Sequence, residues 1–207
     1  IGIDPAQVAD IVLSHLHWDH AGNIDRFPNA RVHVQDAEVA FVCGRCMGVD
    51  LLRMPFEADD IVNVVRKNFA GKLCFHDGGD RLFPGVTLHR FPGHAAGLQA
   101  VRVKTRRGPL LLASDGAHYY ANVYNDAPFF YTMNLIETLD SFRRMRDLAP
   151  DPAFLIPGHD PKVRAVYPKT VINGVLLSIL HETPSPPSPD FFNRVDNFSS
   201  NYPHEAE

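Results

Sequence analysis

Directly after the apolar run Ile11-Val12-Leu13 comes the stretch Ser14-His15-Leu16-His17-Trp18-Asp19-His20-Ala21-Gly22-Asn23. It places three imidazoles and one carboxylate within six consecutive positions. Neutral imidazole is the commonest metal ligand among protein side chains, and Asp adds a hard anionic oxygen. This mixture of donors suits zinc or a similar first-row divalent ion. The stretch therefore predicts a metal site directly after a short buried strand.

The spacing of these side chains predicts two metal positions. On a strand, residues two apart share one face, so His15 and His17 can bind the same ion. Asp19 and His20 lie just beyond, where Gly22-Asn23 permits a turn, and they can point to a second position nearby. The alternative is a histidine-rich surface turn that binds no metal. In that case, several polar side chains would lie beside a buried strand with no ligand to bind.

Three later apolar runs end in the same way, with a glycine and one ligand-type residue at the end of a predicted strand. They are Val86 to Phe91 before Pro92-Gly93-His94, Pro109 to Ala113 before Ser114-Asp115-Gly116, and Phe154 to Ile156 before Pro157-Gly158-His159. Because a strand end is a rigid mount for a ligand, we expect these side chains to complete the site. The candidate metal ligands are His15, His17, Asp19, His20, His94, Asp115 and His159.

Composition favours one soluble globular domain. The chain has 207 residues, of which 45% are hydrophobic, and this is enough to bury one substantial α/β core. No apolar run is long enough for a transmembrane helix, and the first residues do not resemble a signal peptide. The net charge of -4 disfavours a nucleic-acid partner. Three cysteines do not form a disulfide framework and fit a reducing compartment, by default the cytoplasm.

The remaining periodicity predicts alternating helices and strands. Helices are expected at 4–10, 36–42, 59–69 and 134–148, and strands at 31–34 and 154–156. Short β runs at 73–76, 86–91, 98–103 and 109–113 suggest an antiparallel or mixed sheet. From these patterns we expect a domain over 1–183, followed by a Pro-rich, polar, extended tail over 184–207.

Two further motifs are interpreted as structural. His33 lies within a predicted strand and has no ligand-type neighbour in sequence. Cys43-Gly44-Arg45-Cys46 has the spacing of redox pairs and half zinc sites. Because the chain has no second pair of cysteines to complete a structural zinc site, we interpret Cys43 and Cys46 as unpaired thiols.

The pattern His-x-His-x-Asp-His at 15–20, followed by a later His, Asp and His, resembles that of the metallo-β-lactamase superfamily. The resemblance implies an αββα four-layer sandwich with a dinuclear metal centre. It implies that one metal is held by His15, His17 and His94, that the other is held by Asp19, His20 and His159, and that Asp115 bridges them. His17 stands where the oxygen-reducing diiron branch carries Glu, which favours hydrolysis over that chemistry.

Within the superfamily, positions 5–170 look most like the N-acyl homoserine lactone lactonases. This resemblance implies opening of the lactone ring of quorum-sensing signals, commonly with two zinc ions. Such lactonases commonly place a Tyr three residues after the bridging Asp, whereas this chain has His118 there, followed by Tyr119. The candidate catalytic residues are Asp19, Asp115, His118 and Tyr119. The family also has N-terminal strands before the metal motif, and we expect these to be missing from the domain over 1–183.

The expected chemistry is hydrolysis of a lactone or other ester. Two cations about 3.5 to 4 Å apart lower the pKa of a shared water to about 7, and the resulting bridging hydroxide attacks the polarised carbonyl. The first alternative is another ester or thioester hydrolase of the same superfamily, such as a glyoxalase II-like enzyme. The second is a degenerate metal-binding protein without activity. The sequence leaves open whether the chain forms a homodimer, and it predicts neither a membrane nor a nucleic-acid partner.

Overall fold

The computed structural model describes residues 1–186, 188 and 190–193, and its framework is a pair of facing β-sheets. The first sheet contains β1 (Asp10–Val12), β2 (Arg31–Gln35) and β3 (Leu73–His76). The second contains β4 (Asp80–Phe83), β5 (Val86–Arg90), β6 (Gln99–Thr105), β7 (Gly108–Ser114) and β8 (Leu155–Pro157). A separate antiparallel pair is formed by β9 (Lys169–Ile172) and β10 (Val175–Ser178).

The first sheet is parallel, with strand order β1-β2-β3. Its central strand β2 is covered on both faces, because residues 32–35 are all buried. Val32 and Val34 pack in an apolar cluster with side chains of the neighbouring helices. His33 and Gln35 alternate with them and therefore face the other way, towards the second sheet.

The second sheet is mixed, with strand order β4-β5-β6-β7-β8. Its strands pair antiparallel from β4 to β7, and β8 is added parallel to β7. Short turns join β4 to β5 and β6 to β7, and the loop over 91–98 joins β5 to β6. Strand β8 returns after a helical crossover, as a parallel strand requires. The ends of β5, β7 and β8 lead into the loops that carry the later predicted ligands.

Helices flank the two sheets. They are α1 (Trp18–Ala21), α2 (Asp36–Val42), α3 (Asp50–Arg53), α4 (Ala58–Phe69), α5 (Tyr120–Tyr124), α6 (Leu135–Leu148) and α7 (Pro161–Val166). Val64 of α4 belongs to the apolar cluster of the first sheet. Phe142 and Met145 of α6 belong to that of the second sheet. The layers therefore run helix, sheet, sheet, helix, as the αββα expectation requires.

Buried amides join the inner faces of the two sheets. Gln35 Nε2 donates to Gln99 Oε1 over 2.8 Å, and both side chains are almost fully buried. Gln99 Nε2 donates in turn to the carbonyl oxygens of Leu13 and His33. A buried amide is stable only with its hydrogen-bonding capacity met, so these bonds fix one sheet against the other.

The structure differs from the predicted elements at several points. The expected helix over 4–10 is a 3₁₀ turn at Pro5–Gln7, which Asp4 caps. The run 73–76 joins the parallel sheet, and not the antiparallel or mixed sheet expected for the four β runs. Strand β4, the β9–β10 pair and helices α5 and α7 were not predicted, because each is short and carries no clear apolar period.

The predicted tail over 184–207 falls largely outside the described residues. In its described part, the Ser185 N–H donates to the Val166 carbonyl oxygen over 3.0 Å. The ring of Phe192 is buried against Tyr120, with the ring centroids 4.7 Å apart. The boundary at 183 and 184 stays a prediction. No helix in the described part of the chain is both long and apolar enough to cross a lipid bilayer.

Candidate metal centre

The stretch after β1 distributes its ligand-type side chains around the short helix α1. Strand β1 ends at Val12, so His15 lies in an irregular segment and His17 occupies the N-cap of α1. The expectation that both histidines share a strand face is therefore wrong in its local structure. His15 is fully buried and His17 nearly so, whereas Asp19 and His20 on α1 keep part of their side chains in solvent. The chain turns between the two pairs, as a site with two positions requires.

Three loops leaving the second sheet bring the other predicted ligands to this stretch. His94 follows β5, Asp115 follows β7, and His159 follows β8. Ser114 has a φ of +49°, a left-handed conformation that turns the chain sharply before Asp115. A Cβ atom at Gly158 would lie 2.8 Å from Asp115 Oδ1, so only glycine permits this approach of the β8 loop.

The predicted ligands fall into two groups of closely spaced donor atoms. Within each group, one donor atom from every member lies within 4.8 Å of those of the other members. The first group is His15, His17 and His94, and the second is Asp19, His20, Asp115 and His159; His94 and Asp115 also lie within this distance of His118. The structure thus brings together every side chain of the predicted ligand set.

Asp115 lies between the two groups and presents one carboxylate oxygen to each. Its Oδ1 is 3.4 Å from His20 Nε2 and 3.1 Å from His159 Nε2. Its Oδ2 is 3.7 Å from His94 Nε2. Such contacts place the carboxylate where it could serve two neighbouring cations at once.

Several buried nitrogen and oxygen atoms in the centre form no well-aligned hydrogen bond with the described residues, although Asp115 Oδ1 lies close to two imidazole nitrogens. They are His15 Nε2, His20 Nε2 and Asp115 Oδ1. A buried polar atom without a partner is costly, and such atoms in a native protein call for an explanation such as an ion. Imidazole nitrogens and carboxylate oxygens are the donors that zinc takes in catalytic sites. The residues present therefore fit a divalent metal centre.

Hydrogen bonds orient the imidazoles so that their free nitrogens face the centre. The Ser14 hydroxyl lies 3.1 Å from His15 Nδ1 and 3.2 Å from His20 Nδ1. His94 Nδ1 donates to the backbone carbonyl oxygen of Tyr131 over 2.9 Å. Such outer contacts set the tautomer of a ligand histidine. Sequence reasoning missed both partners. Ser14 could have been found, because its hydroxyl stands next to the histidine motif. Tyr131 could not, because it acts through its backbone carbonyl, which every residue has.

Burial keeps the histidines of the first group neutral. Burial lowers the pKa of His15 well below its ordinary value of 6.5. It also lowers the pKa of His17 to about 3 and that of His94 to about 4. The positive charges that neighbouring histidines would carry if protonated add to this effect. Neutral imidazole is the form that binds metal, so the group is ready for a cation at neutral pH.

In the second group, neighbouring polar and charged side chains affect the pKa values more than burial does. Burial raises the pKa of Asp115, but the nitrogens of His118 and His20 outweigh burial and hold that pKa far below its ordinary range. Burial lowers the pKa of His20, whereas the adjacent Asp115 and Asp19 carboxylates raise it to a greater extent. The carboxylate between the groups is therefore anionic and attracts positive charge.

The predicted catalytic residues His118 and Tyr119 lie at the edge of this centre. His118 is buried, and its Nε2 is 3.1 Å from Asp115 Oδ2. Its ring stacks on Phe129 with a centroid distance of 3.7 Å. Tyr119 lies one residue further on, with its ring 6.5 Å from that of His118. His118 therefore contacts Asp115, a predicted ligand, at ion-pair distance.

The motifs interpreted as structural have local explanations. His33 does have partners, contrary to the sequence reasoning: its Nδ1 is 2.9 Å from His76 Nε2, and its Nε2 is 3.1 Å from Asp10 Oδ1. Both histidines are buried on the first sheet. Cys43 and Cys46 are free thiols, as predicted.

Comparison with known proteins identifies relatives over most of the chain. A family model described as "Metallo-beta-lactamase superfamily" matches residues 1–159. The N-acyl homoserine lactonase AttM of Azorhizobium caulinodans is 36% identical over 166 residues, which cover 78% of this chain and 61% of that protein. AttM of Rhizobium johnstonii is 32% identical over 177 residues, which cover 82% of this chain and 64% of that protein. The chain thus spans less than two thirds of the length of these curated relatives.

Solved structures show the same fold. A crystal structure of a quorum-quenching N-acyl homoserine lactone lactonase superposes with a TM-score of 0.65 at 26% identity, covering 78% of this chain and 62% of that one. The structure of AidC, described as a dizinc quorum-quenching lactonase, superposes with a TM-score of 0.62 at 22% identity, covering 86% of this chain and 66% of that one. With its family match, its relatives and its four-layer fold, the chain belongs to the metallo-β-lactamase superfamily.

Proposed function

We propose that this chain is the catalytic part of a dinuclear metal-dependent hydrolase that opens the lactone ring of N-acyl homoserine lactones. The observation that carries the proposal is the position of the Asp115 carboxylate. Its Oδ2 faces His94 of the first group, and its Oδ1 faces His159 of the second group. The choice of substrate class rests on relatives named N-acyl homoserine lactonases at 32% to 36% identity.

The proposed ligands follow the two groups of donor atoms. His15, His17 and His94 would hold one ion, Asp19, His20 and His159 the other, and Asp115 would contact both. We propose zinc, because a set of imidazoles and carboxylates with few ligands per ion is typical of catalytic zinc sites. Two divalent ions bound there would supply Lewis acidity to the lactone carbonyl and make water acidic near neutral pH.

Aromatic side chains beside the centre fit an apolar acyl chain. The rings of Phe56 and Tyr131 lie 4.9 Å and 5.6 Å from that of His17. On the other side, Phe129 stacks on His118 and also contacts Phe130, whose side chain is 87% exposed. An exposed aromatic next to a polar centre is a usual place for the apolar part of a ligand.

In the proposed reaction, water adds to the lactone carbonyl carbon and the ring ester bond breaks, which gives an N-acyl homoserine. Asp115 carries the proton that water loses only transiently, because its pKa is held far below the ordinary range. His118 holds a proton at Nε2, 3.1 Å from Asp115 Oδ2, and gives it to the leaving ring oxygen. Asp115 then restores the proton of His118. Stacking on Phe129 fixes the ring of His118 for this transfer.

Ring opening of lactones tests the proposal directly. The purified, zinc-loaded protein is assayed by pH-stat with N-acyl homoserine lactones of short, medium and long acyl chains, and with a thioester for comparison. We expect acid release from at least one lactone and a loss of activity in Asp115→Ala. Turnover of the thioester alone would instead assign a glyoxalase II-like reaction, and no turnover of any ester would refute hydrolysis.

The role of His118 is separated from that of Tyr119 by matched variants. His118→Phe keeps a ring that can stack on Phe129 but removes the nitrogen beside Asp115. We expect a loss in kcat of about 10²- to 10⁴-fold, the usual contribution of a positioned general acid, with bound metal unchanged. Tyr119→Phe is expected to keep most of the activity. The reverse result would make Tyr119 the donor.

We place the enzyme in a reducing compartment, the cytoplasm. The cysteines at 43, 46 and 74 are all free thiols, and free cysteines are usual in reducing compartments. Cell fractionation with an antibody against the protein would check this location.

A further inference from the structure

A buried carboxylate outside the predicted ligand set joins two of the loops that carry it. Glu38 lies in α2 and is 0% exposed. Its Oε1 accepts a hydrogen bond from the backbone N–H of Leu16 over 2.9 Å, and its Oε2 accepts one from the N–H of Gly97 over 2.7 Å. Leu16 stands between His15 and His17. Gly97 stands in the same loop as His94, so one side chain connects the two segments that form the first donor group.

The contact between Gly97 and α2 leaves no space for a side chain. A Cβ atom at Gly97 would lie 2.5 Å from the backbone nitrogen of Glu38 and 2.6 Å from its Cβ atom. Such distances require the backbone to move. The His94 loop therefore packs directly against α2 at Gly97. From α2, the Glu38 carboxylate reaches the backbone of Leu16.

The chemistry of the contact calls for a carboxylate. Both partners are N–H donors, so both oxygens must accept, and an amide would turn one NH₂ group towards a donor. Burial raises the pKa of Glu38, while the two N–H groups and the charge of Arg90 partly offset that rise. Arg90 Nη2 donates to the Ala96 carbonyl oxygen over 3.0 Å, which ties the same loop to β5.

We propose that Glu38 is a positioning residue for the metal centre, because it sets the separation between the His15–His17 segment and the His94 loop. This inference rests on the proposed metal centre and adds a residue that contacts none of the ions. The atoms it aligns are close: His17 Nδ1 and His94 Nε2 lie 3.1 Å apart. Loss of the two hydrogen bonds would leave this spacing to the loops and to the Gln99 N–H, which donates to the Ser14 carbonyl oxygen over 2.8 Å, and the first ion would bind more weakly than the second.

The test measures metal affinity on the folded protein. Cobalt is titrated into metal-free wild type, Glu38→Gln and the control Glu57→Gln, the same substitution at an exposed glutamate. Visible absorption and competition with a chelator give the affinity for each ion, and circular dichroism confirms folding. We expect Glu38→Gln to lose about 10- to 100-fold in affinity for one ion, the range seen when outer partners of metal ligands are removed. The other ion and the control should stay within threefold of wild type.

A second variant separates positioning from charge. Gly97→Ala displaces the loop but keeps the Glu38 carboxylate, and it also serves if Glu38→Gln does not fold. We expect the same selective loss for one ion. Unchanged affinities in the folded variants, or equal weakening of both ions, would overturn the role of Glu38. Failure of the wild-type protein itself to bind two cobalt ions would refute the proposed dinuclear centre instead.

Discussion

Replacing Gly93 by alanine is expected to disturb the His94 loop and the helix against which it packs. Gly93 has a φ of +132°, a region that L-amino acids rarely adopt. A methyl carbon there would lie 2.2 Å from Thr138 Oγ1 and 2.5 Å from the Thr138 backbone nitrogen. The Gly93 carbonyl oxygen also accepts from the Asn134 N–H over 2.9 Å, just before α6. The variant must therefore shift either the first turn of α6 or the loop that leads to His94.

Two terms set the size of the effect. Holding a non-glycine residue at such a φ costs about 1–3 kcal/mol. Inserting a methyl group into a packed contact costs roughly another 1–3 kcal/mol. We therefore expect the free energy of unfolding to fall by about 2–6 kcal/mol, unless the loop moves and relieves part of the clash. Movement of the loop would instead weaken metal binding at His94.

Urea denaturation of metal-free protein measures the first outcome, and cobalt titration measures the second. Gly48→Ala is the matched control, because Gly48 lies in a 3₁₀ turn and a Cβ atom there would meet no atom within 4 Å. The reasoning would be refuted if Gly93→Ala matched the control in both the free energy of unfolding and cobalt affinity.

Three further predictions concern the core, the bridging carboxylate and pH. Met145 is 0% exposed and lies in the core cluster of the second sheet. Met145→Ala should therefore lower the free energy of unfolding, measured in urea titrations, by about 2–5 kcal/mol. A smaller loss would mean that neighbouring side chains move in to fill the cavity. Asp115→Asn should reduce tightly bound metal from two ions to one, measured by elemental analysis, because Oδ1 and Oδ2 face different histidines; two retained ions would contradict a bridging role. In metal-free protein, burial lowers the pKa of His17 to about 3 and of His94 to about 4 from 6.5, so the unfolded chain takes up protons first. The free energy of unfolding should then fall below about pH 6.5, by up to about 1.4 kcal/mol per pH unit for each histidine, partly offset by His20. Urea unfolding at several pH values checks this, and a flat profile would show that these histidines are solvated.

The proposed ligands could be predicted from sequence because each carries a local signal. Four of these side chains fall within six consecutive positions, and a glycine beside each of the other three marks a strand end. The same logic predicted β2, α2, α4 and α6 close to their observed bounds, since their apolar periods are clear. It failed for β4 and the β9–β10 pair, which are short and largely exposed.

The contacts of buried polar side chains were beyond sequence reasoning. His33 offered no sign of its partners His76 and Asp10, because β3 had to be placed beside β2 first. Glu38 looked like an ordinary helix residue, and only the packing of two loops on α2 reveals its two N–H partners. Partners of this kind are set by the arrangement of elements, which no short window of sequence contains.

By itself, the sequence determined the donor chemistry of this protein: three histidines and an aspartate in one short stretch, with a further ligand-type residue after each of three predicted strands. Tertiary structure alone decided whether these side chains, which lie far apart in the chain, come together. Ser14 and Ser114 show the reason, since their hydroxyl oxygens lie 2.9 Å apart although the residues are 100 positions apart in the chain. The pairing of strands within each sheet and the buried amides between the sheets bring the strand ends together, and that convergence places Asp115 between the two groups.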